Sequence, residues 1–311
     1  MNESTLLLVS LLLPLFGAIA IATVLSKTDV RRIALGIATV TMICSLLVVI
    51  GFDPSYESSA TGEYAATQMR WLPEATGVDL QFSIGLDGLG LWLYGLSTIL
   101  MMTAILVSWE AISQRRPLFY AMLLLLESGC LGVFVARDLL LFYVFFEFTL
   151  IPLFFLIGIW GSEDRRYAAT KFFLFTLAGS LITFVGLLTI VGHAASVSNG
   201  GLISFSIPHI TSVLQTNPMP VGTQKMVFAA LFAGFAIKVP LFPLHTWLPL
   251  AHVQAPTAGS VFLAGILLKI GTYGFLRFNI PPLNFAQVFT MHLHFYAVEP
   301  QKKKKPQVPY L

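Results

Sequence analysis

Eight stretches of about 20 predominantly apolar residues, each long enough to cross a hydrocarbon layer as one helix, divide this chain. They run Ser4–Leu25, Ile33–Gly51, Leu89–Trp109, Leu118–Ala136, Asp138–Trp160, Ala168–Gly192, Met226–Leu250 and Thr257–Phe278. The pattern predicts an all-α polytopic membrane protein of about eight transmembrane helices. Only Arg137-Asp138 separates the fourth stretch from the fifth, so those two must form a tight antiparallel hairpin. Pro240, Pro243 and Pro249 fall inside the seventh. Each removes a backbone donor, and hydrocarbon tolerates such a break only where protein or a wet cavity lines it. A proline-broken seventh helix is therefore expected.

Composition sharpens this picture. The 311 residues are 56% hydrophobic and 11% charged, against about 25% charged in a soluble domain. The net charge of +3 resides in loops and a tail rather than on a basic face, which excludes nucleic-acid binding. Lys27, Arg31, Arg32, Arg115, Arg116, Arg165 and Arg166 all fall in odd-numbered loops, whereas the even ones hold Arg70, Arg137 and Lys225. The positive-inside rule then puts the odd loops in the cytoplasm and the N-terminus outside. The loop from Phe52 to Asp87 and the polar stretch His193–Lys225, with room for a short interfacial helix, belong to the outer side. Met1-Asn2-Glu3 lacks a basic leader region and runs straight into a full-length span, so the first helix reads as retained. Cys44 and Cys130 lie inside spans and read as small buried hydrophobes, and no metal-ligand spacing is present.

After Phe278 the helical pattern is lost. The segment carries His292, His294 and the run Lys302–Lys305, and reads as a disordered solvated tail on a truncated or frame-shifted C-terminus.

Ionisable residues inside the spans carry the chemistry. Glu147 sits mid-helix in FYVFFEFTLIPLFFL, Glu127 mid-span in LLLLESGC, and Lys171 near the start of the sixth span. Lys238 and Lys269 are each about twelve residues into theirs, which at about 1.5 Å per residue brings both to the depth of Glu147. A charge at bilayer depth is costly, and the default reading is a functional one. The competing reading is a static ion pair or, for Lys171, a side chain snorkelling to the interface. Burial and pairing act oppositely on such groups, so a helix pair that opens and closes can load and release protons. Thr170, Thr176, Ser180, His245, Thr246 and His252 supply polar groups around them. His245 reads either as a relay or as the donor to a carbonyl freed by the break.

Three stretches, ARDLLLFYVFFEFTLIPLFFLIGIWG, YAATKFFLFTLAGS and FAIKVPLFPLHTWLPLAHVQAPTAGSVFLAGILLKIGTYGFLRF, resemble the M subunit (subunit 4 type) of respiratory complex I, an antiporter-like proton-channel family. With IGLDGLGLWLYGLST at the entry to the third span, the resemblance covers roughly residues 80 to 278. It implies that Glu147 pairs with Lys238, that Lys171 opens the sixth helix, and that Lys269 passes protons toward the exit side. His245 falls at the PLHxWLP histidine and His252 in AHxQAPT, while Leu250 stands where the family usually has aspartate. Full-length members have about fourteen helices in two inverted repeats. The expected division is residues 1–110 as introductory helices and outer loop, 111–278 as the first five-helix channel repeat, and 279–311 as the tail.

The resemblance implies a proton-translocating membrane subunit of NADH:quinone oxidoreductase. Its partners would be neighbouring antiporter-like membrane-arm subunits and the lipid bilayer. The chain holds no GxGxxG fingerprint at a strand–helix junction and no cysteine cluster. NADH, FMN, iron–sulfur clusters and quinone would thus belong to the parent complex, with no cofactor on this chain. With no transit peptide, the bacterial inner membrane is the expected location. The alternatives are a subunit of a multisubunit cation/proton antiporter, or a truncated fragment that does not conduct.

Overall fold

The computed structural model describes residues 2–23, 29–53, 64–72, 77–198 and 201–279. The tail with His292, His294 and Lys302–Lys305 lies outside the described residues, as does Lys27. Helices α1 (Glu3–Thr23) and α2 (Val30–Ile50) lead, followed after the first strands by α3 (Gly88–Ala111) and α4 (Arg116–Val135). The fifth span is two pieces, α5 (Leu139–Phe148) and α6 (Leu150–Trp160), and α7 (Arg165–Val197) is a single 33-residue helix. Among the described residues, seven helical segments are long and apolar enough to cross a membrane. The remaining window is divided between α9 (Val221–Lys238) and α10 (Trp247–Gln254). The last span runs as α11 (Thr257–Phe262), a π turn (Leu263–Leu267), α12 (Leu268–Gly274) and a second π turn (Phe275–Asn279).

Local chemistry fixes the ends of these helices. Asp87 Oδ1 accepts from Gly90 N at 2.8 Å and so caps α3. Asp138 Oδ1 caps α5 by accepting from Leu140 N at 2.9 Å and Leu141 N at 3.1 Å, satisfying donors that have no partner within the helix. Burial pushes the Asp138 carboxyl above the usual carboxylate range, against the pull of those backbone N–H groups. Pro152 cannot donate to Phe148 O, and the helix is interrupted one turn earlier, at Thr149.

The bundle is organised around α4. Of its apolar window 83% is buried, against 28% for α2. Glu127 and Cys130 are therefore enclosed by protein, while Ile43, Ile50, Trp92 and Val185 point outward from other helices. That outward apolar surface is what a hydrocarbon solvent requires.

Small strands tie the loops together at one end. β1 (Tyr64–Arg70) pairs antiparallel with β3 (Gln81–Leu86), with Gln68 opposite Ser83 and Thr67 opposite Ile84. β2 (Val78–Asp79) pairs in parallel with β4 (Ile203–Ser204), just before α8 (Ile207–Thr216). Arg137 N donates to Ser83 O and Leu139 N to Phe205 O, so the second, fourth and sixth loops converge. The first, third, fifth and seventh connections converge at the opposite end. There Arg31 reaches Ile112 O, Trp160 Nε1 donates to Gln114 O, and Ser162 N donates to Gln254 O. The two sets of loops are thus segregated, as alternating spans demand. The β1–β3 hairpin was not apparent from the sequence, because Tyr64–Arg70 has only one buried position.

Candidate functional site

The interruption between α9 and α10 can be followed bond by bond. Pro240 has no N–H, so Ala236 O loses its normal i+4 donor and is reached instead by Leu241 N at 2.9 Å. That shift releases Ile237 O. The Trp247 indole Nε1 takes it, at 2.9 Å. Trp247 is buried against Phe172 of α7, which holds the ring over the gap. The freed carbonyl is therefore satisfied by Trp247 and not by His245, whose Nδ1 is buried without a partner among the described residues.

Lys238 is the last residue of α9 before this break and is only 3% exposed. Its ammonium has no hydrogen-bond partner among the described residues and lies 4.5 Å from the centre of the Phe146 ring. A desolvated cation over an aromatic face gains about 2 kcal/mol, far less than hydration supplied. Glu147, the next residue on α5, is half-buried and within electrostatic reach of Lys238, with Ser180 of α7 beside its carboxylate. The pair expected from the resemblance is thus adjacent but not closed: no ion pair joins the two, and Glu147 Oε1 has no partner among the described residues. The ammonium rests on Phe146 instead. Bringing the two groups to about 4 Å would give an attraction of about 4 kcal/mol at an effective dielectric of about 20.

The approach of α9 to α7 sets the position of Lys238. Gly234, one turn earlier, packs directly on Gly179 and Thr183 of α7, and Ile237 packs on Gly179. Small residues at a membrane helix crossing allow backbones this close.

The other expected residues are dispersed. Lys269 follows the π turn, and its Nζ donates to Ala264 O at 2.6 Å. It is exposed on the outer face of the described bundle, whereas the sequence placed it at an internal depth. Depth along the helix is read from sequence position, but the face that points outward depends on which neighbours cover it. Lys171 is half-buried on α7, two turns from its start. His252 is exposed on α10, and its backbone oxygen accepts from Ser260 Oγ at 2.9 Å. Glu127 is completely buried in α4. Lys238 and Glu147 thus share one site, while Lys269, Lys171 and His252 do not touch it.

A charged knot at the loop end escaped sequence reasoning. Asp87 bonds Arg277 at the end of the last span and lies 3.5 Å from Arg137 in the α4–α5 turn. The capping pattern LDGLG marks Asp87 as a helix start, but nothing local announces a partner 190 positions away.

A bundle of membrane-length helices, interrupted beside prolines at a buried lysine with a glutamate in reach, places ionisable groups where a hydrocarbon layer makes charge costly. The family profile described as NADH:quinone oxidoreductase/Mrp antiporter, TM matches residues 136–298, more than half of the chain, and the chain belongs to that family. NADH-quinone oxidoreductase subunit M of Rhodobacter capsulatus is 42% identical over 276 residues, which are 86% of this chain and 52% of that protein. NADH-ubiquinone oxidoreductase chain 4 of Prototheca wickerhamii is 41% identical over 293 residues, 90% of this chain and 53% of its own. The chain spans about half the length of the curated relatives it matches. Among solved structures, a chain of respiratory complex I from Thermus thermophilus with bound NADH superposes with a TM-score of 0.74 at 31% identity, covering 92% of this chain and 55% of that one. An archaeal respiratory membrane complex, the membrane-bound sulfane sulfur reductase, shares the fold at a TM-score of 0.67 and 21% identity.

Proposed function

We propose that this chain is a proton-translocating membrane subunit of an NADH:quinone oxidoreductase, and that Glu147 and Lys238 form its switching pair. The observation that carries this reading is the unpaired Lys238 ammonium, buried where Pro240 breaks the helix and within reach of Glu147. A structural ion pair would be closed, whereas an open one can change its proton affinity when helices shift. On this reading residues 111–278 form the channel repeat and residues 1–110 the introductory helices. Lys269 hands protons onward, Lys171 lies at the entry of the sixth span, and His245 with its unpartnered Nδ1 relays between them. His252 stands near the odd-loop end, where it contacts solvent.

The chain would sit in a bacterial inner membrane with its N-terminus outside, against neighbouring antiporter-like subunits. NADH, FMN, iron–sulfur clusters and quinone would be handled elsewhere in that complex. The test is proton pumping by membranes in which a tagged copy of this chain migrates with NADH-oxidising activity. Lys238→Ala and Glu147→Gln should each lower pumping at least tenfold while the assembly persists; full pumping in either variant would sink the assigned roles. The family's description also names the Mrp antiporter. Sodium-dependent transport by a smaller assembly without NADH oxidation would move the chain to that branch.

A further inference from the structure

A cavity of about 260 Å³ opens at the end where the odd-numbered connections converge. Its walls come from three helix ends: Arg115 just before α4, Ile159 and Trp160 closing α6, and Arg165 and Arg166 opening α7. Membrane-length helices begin and end here, so in a bilayer the cavity lies at the depth of the lipid headgroups.

Three arginines thus border one small space, and no carboxylate compensates them. The described ion pairs use Arg32, Arg137 and Arg277 instead. Arg165 Nη1 donates to Gly161 O at 3.3 Å, which tethers that side chain, while the Arg115 and Arg166 guanidiniums make no hydrogen bond among the described residues. Glu163 and Asp164 directly precede Arg165, but neither lines the cavity.

The aromatic wall is fixed in place. Trp160 Nε1 donates to Gln114 O at 2.9 Å, and its ring meets Phe119 edge-on with centroids 5.1 Å apart. From Ile159 an apolar strip continues along α6 through Phe155, 41% exposed, and Ile151, 50% exposed. The four-residue spacing keeps the three on one face of the helix. The strip leads from the cavity toward the middle of the span.

The positive-inside rule accounts for arginines at this end as topology signals. It does not account for a cavity that they wall together with a tryptophan, or for the apolar strip that continues it.

We propose that this cavity binds an anionic phospholipid, its phosphodiester among Arg115, Arg165 and Arg166 and an acyl chain along Ile159, Phe155 and Ile151. Guanidinium forks match phosphate oxygens two at a time. The cavity is smaller than the ~300–1,000 Å³ of pockets that enclose a whole small molecule, as suits a headgroup whose tails stay in the bilayer. The site is apart from Glu147 and Lys238, and the proposal does not depend on their role.

Photolabelling tests it. The tagged chain, in whichever assembly it enters, is placed in bilayers containing phosphatidylglycerol or phosphatidylcholine with a photoactivatable group midway along one acyl chain, and the labelled residues are mapped. The phosphatidylglycerol probe should label Phe155 or Ile151 several-fold more than the phosphatidylcholine probe. The outward face of α2 at Val40, Ile43 and Leu47 starts from the same basic end but does not border the cavity, and should take both probes alike. Arg115→Gln combined with Arg166→Gln should cut the preference at α6 by at least about fivefold, the attraction one interfacial arginine supplies, and leave phosphatidylcholine labelling unchanged. Equal labelling of α6 by both probes overturns the proposal, as does an equal preference at α2, which would be general attraction to a basic end. Loss of the preference on adding inorganic phosphate would make this a free-anion site and overturns it too, and so does an α6 face that neither probe reaches, as under a neighbouring protein. The comparison of probes uses the unmodified chain, so it decides the matter even where the double variant fails to assemble.

Discussion

Replacing Gly234 by alanine probes the contact that positions the buried lysine. A Cβ at Gly234 would lie 2.5 Å from Gly179 O, where ordinary contact begins at 3.4 Å, and it would also collide with Thr183 Oγ1. The Thr183 side chain can turn away. The Gly179 carbonyl is backbone and cannot, so α9 must retreat from α7 by the difference, 3.4 − 2.5 = 0.9 Å. Overpacking of this kind costs about 1–3 kcal/mol, and the displaced segment carries Lys238 one turn later. Gly234→Ala should therefore lower the thermal transition of the detergent-solubilised assembly. It should also lower proton pumping per NADH oxidised, because Lys238 moves relative to Glu147 and Ser180. Adding Thr183→Ala to Gly234→Ala should recover only part of both losses, since the carbonyl contact persists. A Gly234→Ala assembly with unchanged transition and pumping, or full rescue by Thr183→Ala, would show that backbone contact between α7 and α9 does not set the lysine's position.

Trp247→Phe keeps an aromatic ring against Phe172 but leaves Ile237 O without its donor, at an expected cost of about 1–3 kcal/mol for a buried unsatisfied carbonyl; a thermal transition equal to that of the unmodified assembly would contradict the bond-by-bond account of the break. Asp87→Asn retains an acceptor for the α3 cap but removes the negative charge facing Arg277 and Arg137. It should destabilise the loop end by about 1–3 kcal/mol, seen as faster protease cleavage there, and Asp87→Ala should cost about 1 kcal/mol more through the lost cap; equal cleavage rates in all three proteins would count against both roles.

The helices were largely legible because hydrocarbon imposes one rule on every span: about 20 apolar residues with all backbone bonds made internally. The ends were read less well, since α7 continues to Val197, beyond the expected Gly192, through His193 and two alanines that prolong a helix without apolar signal. Hydropathy also cannot register a π turn. The insertion at Leu263–Leu267 changes the hydrogen-bond partner by one residue while leaving the apolar content intact. In the site, Lys238 and Glu147 stood out because charges are rare in such windows. Trp247 did not, since an indole in an apolar window looks like packing until the carbonyl it serves is seen. Lys269 shows the opposite limit, because a charge visible in the sequence carries no information about which face is covered.

The three interruptions near the polar residues share one physical basis. At Thr149 the α5–α6 helix is broken two residues after Glu147, at Val239 the α9 helix ends directly after Lys238, and a π turn closes two residues before Lys269. An unbroken helix consumes every backbone group and offers a buried charge nothing but side chains. Each break frees or redirects a carbonyl, and at Lys269 the ammonium itself takes one, Ala264 O. At Lys238 the freed carbonyl goes to Trp247, so the ammonium is left with an aromatic ring and a carboxylate within reach but not closed on it. The protein thus solvates one lysine and withholds solvation from the other. That difference, rather than the presence of lysines as such, is what the proposed role of Lys238 rests on.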